Sequence, residues 1–126
     1  MINIERQIKY WTENSNNDFD TAKLLIENSK ILHGLFFCHL VIEKMIKAHV
    51  VKQTKEIPPK SHNLLYLSER AKLKLNEDQE LFIGILMKYQ LEGRYPEYQP
   101  KTPSAETAKE YLLKSKEFLE WLENRL

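Results

Sequence analysis

Glycine is scarce here: three in 126 residues, with no glycine-rich phosphate loop and no alternation of Val, Ile or Thr with polar residues. That argues against a sheet and against a nucleotide site built on a glycine loop. A single cysteine, Cys38, excludes a disulfide framework and fits a reducing cytoplasm. No apolar run approaches the ~18 residues that span a bilayer. The polar opening Ile4-Glu5-Arg6-Gln7 is not that of a secretory signal. With 19 Lys and Arg against 18 Asp and Glu, the net charge is +1. No global field attracts nucleic acid, so any contact with RNA or a nucleotide must come from a local patch. What is present, 42% hydrophobic and 29% charged residues, is the make-up of a soluble globular chain able to fold as one domain over residues 1–126.

Helical periodicity runs almost throughout. Ile4, Ile8, Trp11, Phe19, Ala22, Leu25 and Ile26 form one stripe and predict a first helix from Ile4 to Asn28, with Asp18 on its edge. The poor helix formers Glu13-Asn14-Ser15-Asn16-Asn17 predict a kink within it. A second helix is expected from Leu32 to Thr54, before the stiff linker Ile57-Pro58-Pro59-Lys60. Ser61 then caps a short third helix over Asn63 to Leu75. Asn76, with Gln79 three residues on, reads as a capping box for a fourth helix with Leu81, Phe82, Ile85, Leu86 and Tyr89 on its apolar face. After the loop Gly93 to Pro100, Thr102 caps a fifth helix with Pro103 in its first turn and an inward repeat from Ala105 through Leu112 and Ser115 to Leu126. The sum is an all-α, antiparallel up-and-down bundle of four to five helices.

The second helix poses the functional question. It is strongly apolar, yet His39, Glu43 and Lys47 recur every fourth residue and share one ridge at roughly 100° per residue. The ridge either lines a polar site or is the wet edge of a packed helix. Metal is not expected: Glu43 is not followed by His at position 46, and no other helix repeats the pattern. No cofactor is implied. Cys38 has no activating cation nearby in sequence and reads as packing.

The segments just quoted resemble those of a known family. Asp18-Phe19 with Ala22 and Leu24-Leu25, Phe37-Cys38-His39-Leu40-Val41-Ile42-Glu43-Lys44 with Ile46-Lys47-Ala48, Pro59-Lys60-Ser61-His62-Asn63-Leu64, and Gly93-Arg94-Tyr95-Pro96 are similar, in order, to the HEPN domain (higher eukaryotes and prokaryotes nucleotide-binding). The resemblance implies a small helical bundle, often a homodimer, frequently encoded beside a minimal nucleotidyltransferase as a toxin–antitoxin pair. It also implies nucleotide or RNA association, and in many members metal-independent RNA cleavage by an Arg followed four to six residues later by a His. Arg6, Arg70, Arg94 and Arg125 have no such His.

Three functional readings follow. As a binding module, the chain would hold nucleotide or RNA through Glu43, Lys44, Lys47, Arg94 and Tyr95, with the guanidinium on phosphate and Tyr95 or Tyr98 stacked on a base. As an RNase with a non-standard site, it would use His39 as base and Arg94 on the phosphorane. As a non-catalytic dimeric scaffold, it would pair Glu43 with Arg94 internally. His62 is expected only to help start the third helix, while His33 and His49 carry no signal.

Overall fold

A computed structural model describes residues 2–126 and contains, among them, five α-helices and no strand. They are α1 (Ile4–Glu27), α2 (Ile31–Thr54), α3 (Leu64–Arg70), α4 (Glu77–Met87) and α5 (Ala105–Glu123), with a 3₁₀ turn at Pro96–Tyr98. The architecture is the expected all-α bundle. No helix among the described residues is long and apolar enough to cross a membrane.

The α2 helix is the hub, touching each of the other four helices. Its apolar residues Leu35, Val41, Ile42, Met45, Ile46 and Val50 have no exposed surface at all. Burial on nearly every side explains why so little of this helix is polar, and why any polar residue it keeps needs a partner.

The α1 helix runs unbroken through the stretch expected to kink. Ser15 is wholly buried against α2, and its hydroxyl donates to the Val41 carbonyl at 2.7 Å. Asn14 and Asn16 turn their amides back onto Tyr10 and Thr12 carbonyls of their own helix. Tertiary contact and back-bonding thus outweigh the weak propensity of these residues. The hairpin to α2 closes at Ser29, in the left-handed region at φ 63°, where Lys30 N–H donates to Leu25 O at 2.8 Å. Gly34 lies so close to α1 that a Cβ there would meet Ile26 Cγ1 at 2.4 Å.

Three further boundaries differ from expectation. Helix α3 is capped by Asn63, which accepts from Tyr66 N–H, while the Ser61 hydroxyl accepts from Asn63 N–H one step outside. It ends at Arg70 because Lys72 takes φ 54°, letting Leu73 N–H close back on Ser68 O. On α4 the capping box forms as expected, but Leu81 is 68% exposed and Ile83 is buried in its place. Phe82, Ile83 and Leu86 are the buried residues of α4, Phe82 lying 6.2 Å from the Tyr111 ring of α5, and Leu81 sits one residue out of phase. On α5 the cap is Ser104, not Thr102, and Phe118 is buried whereas Ala105 is exposed.

Candidate functional site

The ridge on α2 is neither a wet edge nor an open polar face. His39, Glu43 and Lys47 are 0%, 3% and 6% exposed. They survive there because a second segment and a ring cover them. Lys55 ends α2 in the left-handed region, and the linker, with Pro58 buried, then carries residues 60–63 back over the helix. That path sets His62 on top of Glu43.

The resulting network is continuous. Glu43 Oε2 accepts from Lys47 Nζ at 2.9 Å, and the ammonium also lies 5.3 Å from the centre of the Trp11 ring. Glu43 Oε1 lies 3.0 Å from His62 Nδ1, which donates to it. His39 Nε2 donates to the His62 carbonyl at 3.1 Å, which fixes the backbone of the same segment. His39 Nδ1 sits 3.6 Å from Glu43 Oε1 without a hydrogen bond. Burial holds the His39 imidazole down at about 4, against the attraction of Glu43 and its bond to the His62 carbonyl. A neutral ring donating through Nε2 accounts for the bare Nδ1. Outward, His62 Nε2 lies 3.4 Å from Glu92 Oε2, with side chains 44% and 65% exposed. The network therefore has a sealed inner end at Lys47 and an outlet at His62.

The other expected residues disperse. Lys44 pairs with Asp18 of α1 at 2.7 Å, as an ion pair outside hydrogen-bond angles. Arg94 does not meet Glu43; its guanidinium donates to the Met87 and Tyr98 carbonyls, each at 3.2 Å. Those carbonyls end α4 and the 3₁₀ turn, so Arg94 holds the loop's shape where a salt bridge was expected. Lys47 is spent on Glu43 and Trp11. The cations of α2 and of the Arg94 loop thus form no shared patch. Tyr95 and Tyr98 stand 68% and 67% exposed on the same loop as Glu92. His39 has no surface with which to touch a substrate, and its place is that of a support for His62. The scaffold reading's internal Glu43–Arg94 pair is not formed.

Elsewhere, Cys38 is buried, its thiol pushed up to about 11 by desolvation. His49 donates to Leu122 O at 2.7 Å and fastens α2 to α5. No group of metal-binding side chains is assembled among the described residues. Three surface depressions are lined by residues outside the network; the one between α4 and α5, about 610 Å³, is floored by Phe82 and Phe118.

Sequence reasoning misses His62 and Glu92. The available signal is the ridge itself: three polar groups on a buried helix demand partners, and the first histidine beyond a stiff Pro-Pro linker can reach them.

Comparison with known proteins agrees with the fold. No curated protein matches the chain. The crystal structure of TT1696 from Thermus thermophilus is similar at a TM-score of 0.79 and 21% identity, over 95% of this chain and 98% of that one, a likeness of fold. The family model for the HEPN domain matches residues 8–125, which take in the ridge, the covering segment and the Arg94 loop. The chain belongs to the HEPN domain family.

Proposed function

We infer that this HEPN chain associates with nucleotide or RNA where the 60–63 segment meets the 90–100 loop. The observation that carries the reading is His62. It is part-exposed, oriented from behind by a buried carboxylate, and linked through Glu92 to the loop bearing Tyr95 and Tyr98. Exposed tyrosines offer flat faces to bases, and base–aromatic stacking is worth about 1–3 kcal/mol. Lys60, two residues before His62, adds a positive charge in the same segment. Within this reading, Glu43 and Lys47 act from the interior through His62, while Tyr95 meets the ligand and Arg94 shapes its loop. The proposal extends to a homodimer that works as the HEPN half of a pair with a minimal nucleotidyltransferase, a role supported by family membership.

The test is fluorescence anisotropy with short labelled single-stranded RNA and with AMP over a range of salt. Binding that weakens with salt and falls about tenfold in Tyr95→Ala or Tyr98→Ala is expected. Absence of binding at low salt, or affinity indifferent to both tyrosines, would sink the reading. Co-purification with a minimal nucleotidyltransferase from the same cells tests the partner.

One observation favours a second reading, RNA cleavage at a non-standard site. Glu43 Oε1 at 3.0 Å from His62 Nδ1 directs the other ring nitrogen outward, the arrangement of an imidazole held ready for proton transfer. Metal-free cleavage of RNA that a 2′-deoxy substitution abolishes and His62→Ala removes would establish it. Intact RNA after prolonged incubation would discard it.

A further inference from the structure

The His62 ring lies between two carboxylates that differ in every relevant respect. Glu43 is buried, its charge already balanced by Lys47, and it accepts from Nδ1 at 3.0 Å. Glu92 is 65% exposed, and its oxygen lies 3.4 Å from Nε2. A charge-assisted N–H···O bond closes to about 2.7–2.9 Å, so the outer contact is loose. Among the described residues, the Glu92 carboxylate is paired with His62 alone. The next residue, Gly93, has φ 76°, a backbone conformation that favours glycine. With 65% of its side chain exposed, Glu92 has solvent to swing into.

We propose that Glu92 is a built-in stand-in for an anionic ligand, resting where an oxygen of a phosphate group binds His62 Nε2–H. The inference deepens the nucleotide reading above and rests on it for the ligand's class: it assigns the place of the phosphate. Glu43 fixes the ring so that Nε2 faces outward, and the Lys47 charge behind Glu43 keeps the inner carboxylate from repelling the guest. Glu92 then acts as a specificity residue. It excludes weak anions by occupying the donor and yields to a dianion whose base is also held by the neighbouring loop. No covalent step is involved; one carboxylate exchanges for one phosphate oxygen.

The deciding experiment is a thermodynamic cycle with inorganic phosphate, and with AMP, on the whole chain. Affinities are measured calorimetrically for the natural sequence, Glu92→Gln, His62→Gln and the double variant. Glu92→Gln should raise phosphate affinity roughly two- to fivefold, the worth of an exposed ion pair, and the gain should vanish in the His62→Gln background. Because His62→Gln disturbs Glu43, a second measurement avoids it. In Glu92→Gln, the His62 imidazole nitrogen resonances should move on adding phosphate, Nε2 more than Nδ1. An unchanged affinity in Glu92→Gln, a gain that persists without His62, or a silent Nε2 would each overturn the proposal. The outcomes separate it from the broader reading. A phosphate gain through His62 with no RNA binding leaves this site standing and the RNA reading fallen. Tyrosine-dependent RNA binding with no phosphate gain does the reverse.

Discussion

Removing the carboxylate at position 43 strands two partners at once: the Lys47 ammonium, 6% exposed, and the His62 ring above it. Breaking a buried ion pair from one side costs about 3–5 kcal/mol, because the remaining charge stays desolvated. Glu43→Ala is therefore expected to lower unfolding free energy by that order in urea titration. Glu43→Ala combined with Lys47→Met should recover most of the loss; if the double variant is no better, the pair is not what holds the site. The neighbouring histidine sets a pH dependence. Folded His39 stays neutral down to about 4, whereas the unfolded side chain takes a proton below its ordinary 6.5. The unfolded state then binds more protons, so stability is full above 6.5 and declines as pH falls toward 4, by up to about 3 kcal/mol from this residue. His49, also lowered by burial, adds in the same direction. Denaturant titrations from pH 7 to 4 measure the slope, and His39→Leu should flatten it; an unchanged slope would place the acid sensitivity elsewhere.

Helix elements differ in how much of them can be read from their residues. The α4 capping box is legible because Asn76 and Gln79 satisfy each other locally. The expected α1 kink is absent because what straightens the helix, Ser15 on Val41 O, comes from a residue 26 positions away. The ridge on α2 is legible as an anomaly. Its partners are not, since Glu43 meets a histidine delivered by a linker whose path depends on Pro58 being buried. Two glycines make the same point by substitution. Gly34→Ala forces a methyl to 2.4 Å from Ile26 and should destabilise by about 1–3 kcal/mol. Gly84, inside α4 with nothing within 4 Å of its missing Cβ, should gain about 0.5–1 kcal/mol as Ala. Thermal melts of the two variants should move in opposite directions; a shared direction would contradict the packing described.

At the scale of the whole molecule, α1 against α2 is the most extensive contact between elements, and only three residues, 28–30, separate the two helices. That arrangement has a kinetic consequence. Bringing these faces together closes almost no loop, so the entropy of assembly is regained early and the hairpin is the natural folding nucleus. A chain built this way should refold in the microsecond-to-millisecond range expected of helical proteins with mostly local contacts. In stopped-flow or temperature-jump traces, Gly34→Ala should then lose its stability mainly through slower refolding, while Glu43→Ala, which breaks a later closure by the 60–63 segment, should mainly hasten unfolding. The order in which the bundle forms would thus leave the polar outlet at His62 until last, on a scaffold already set beneath it.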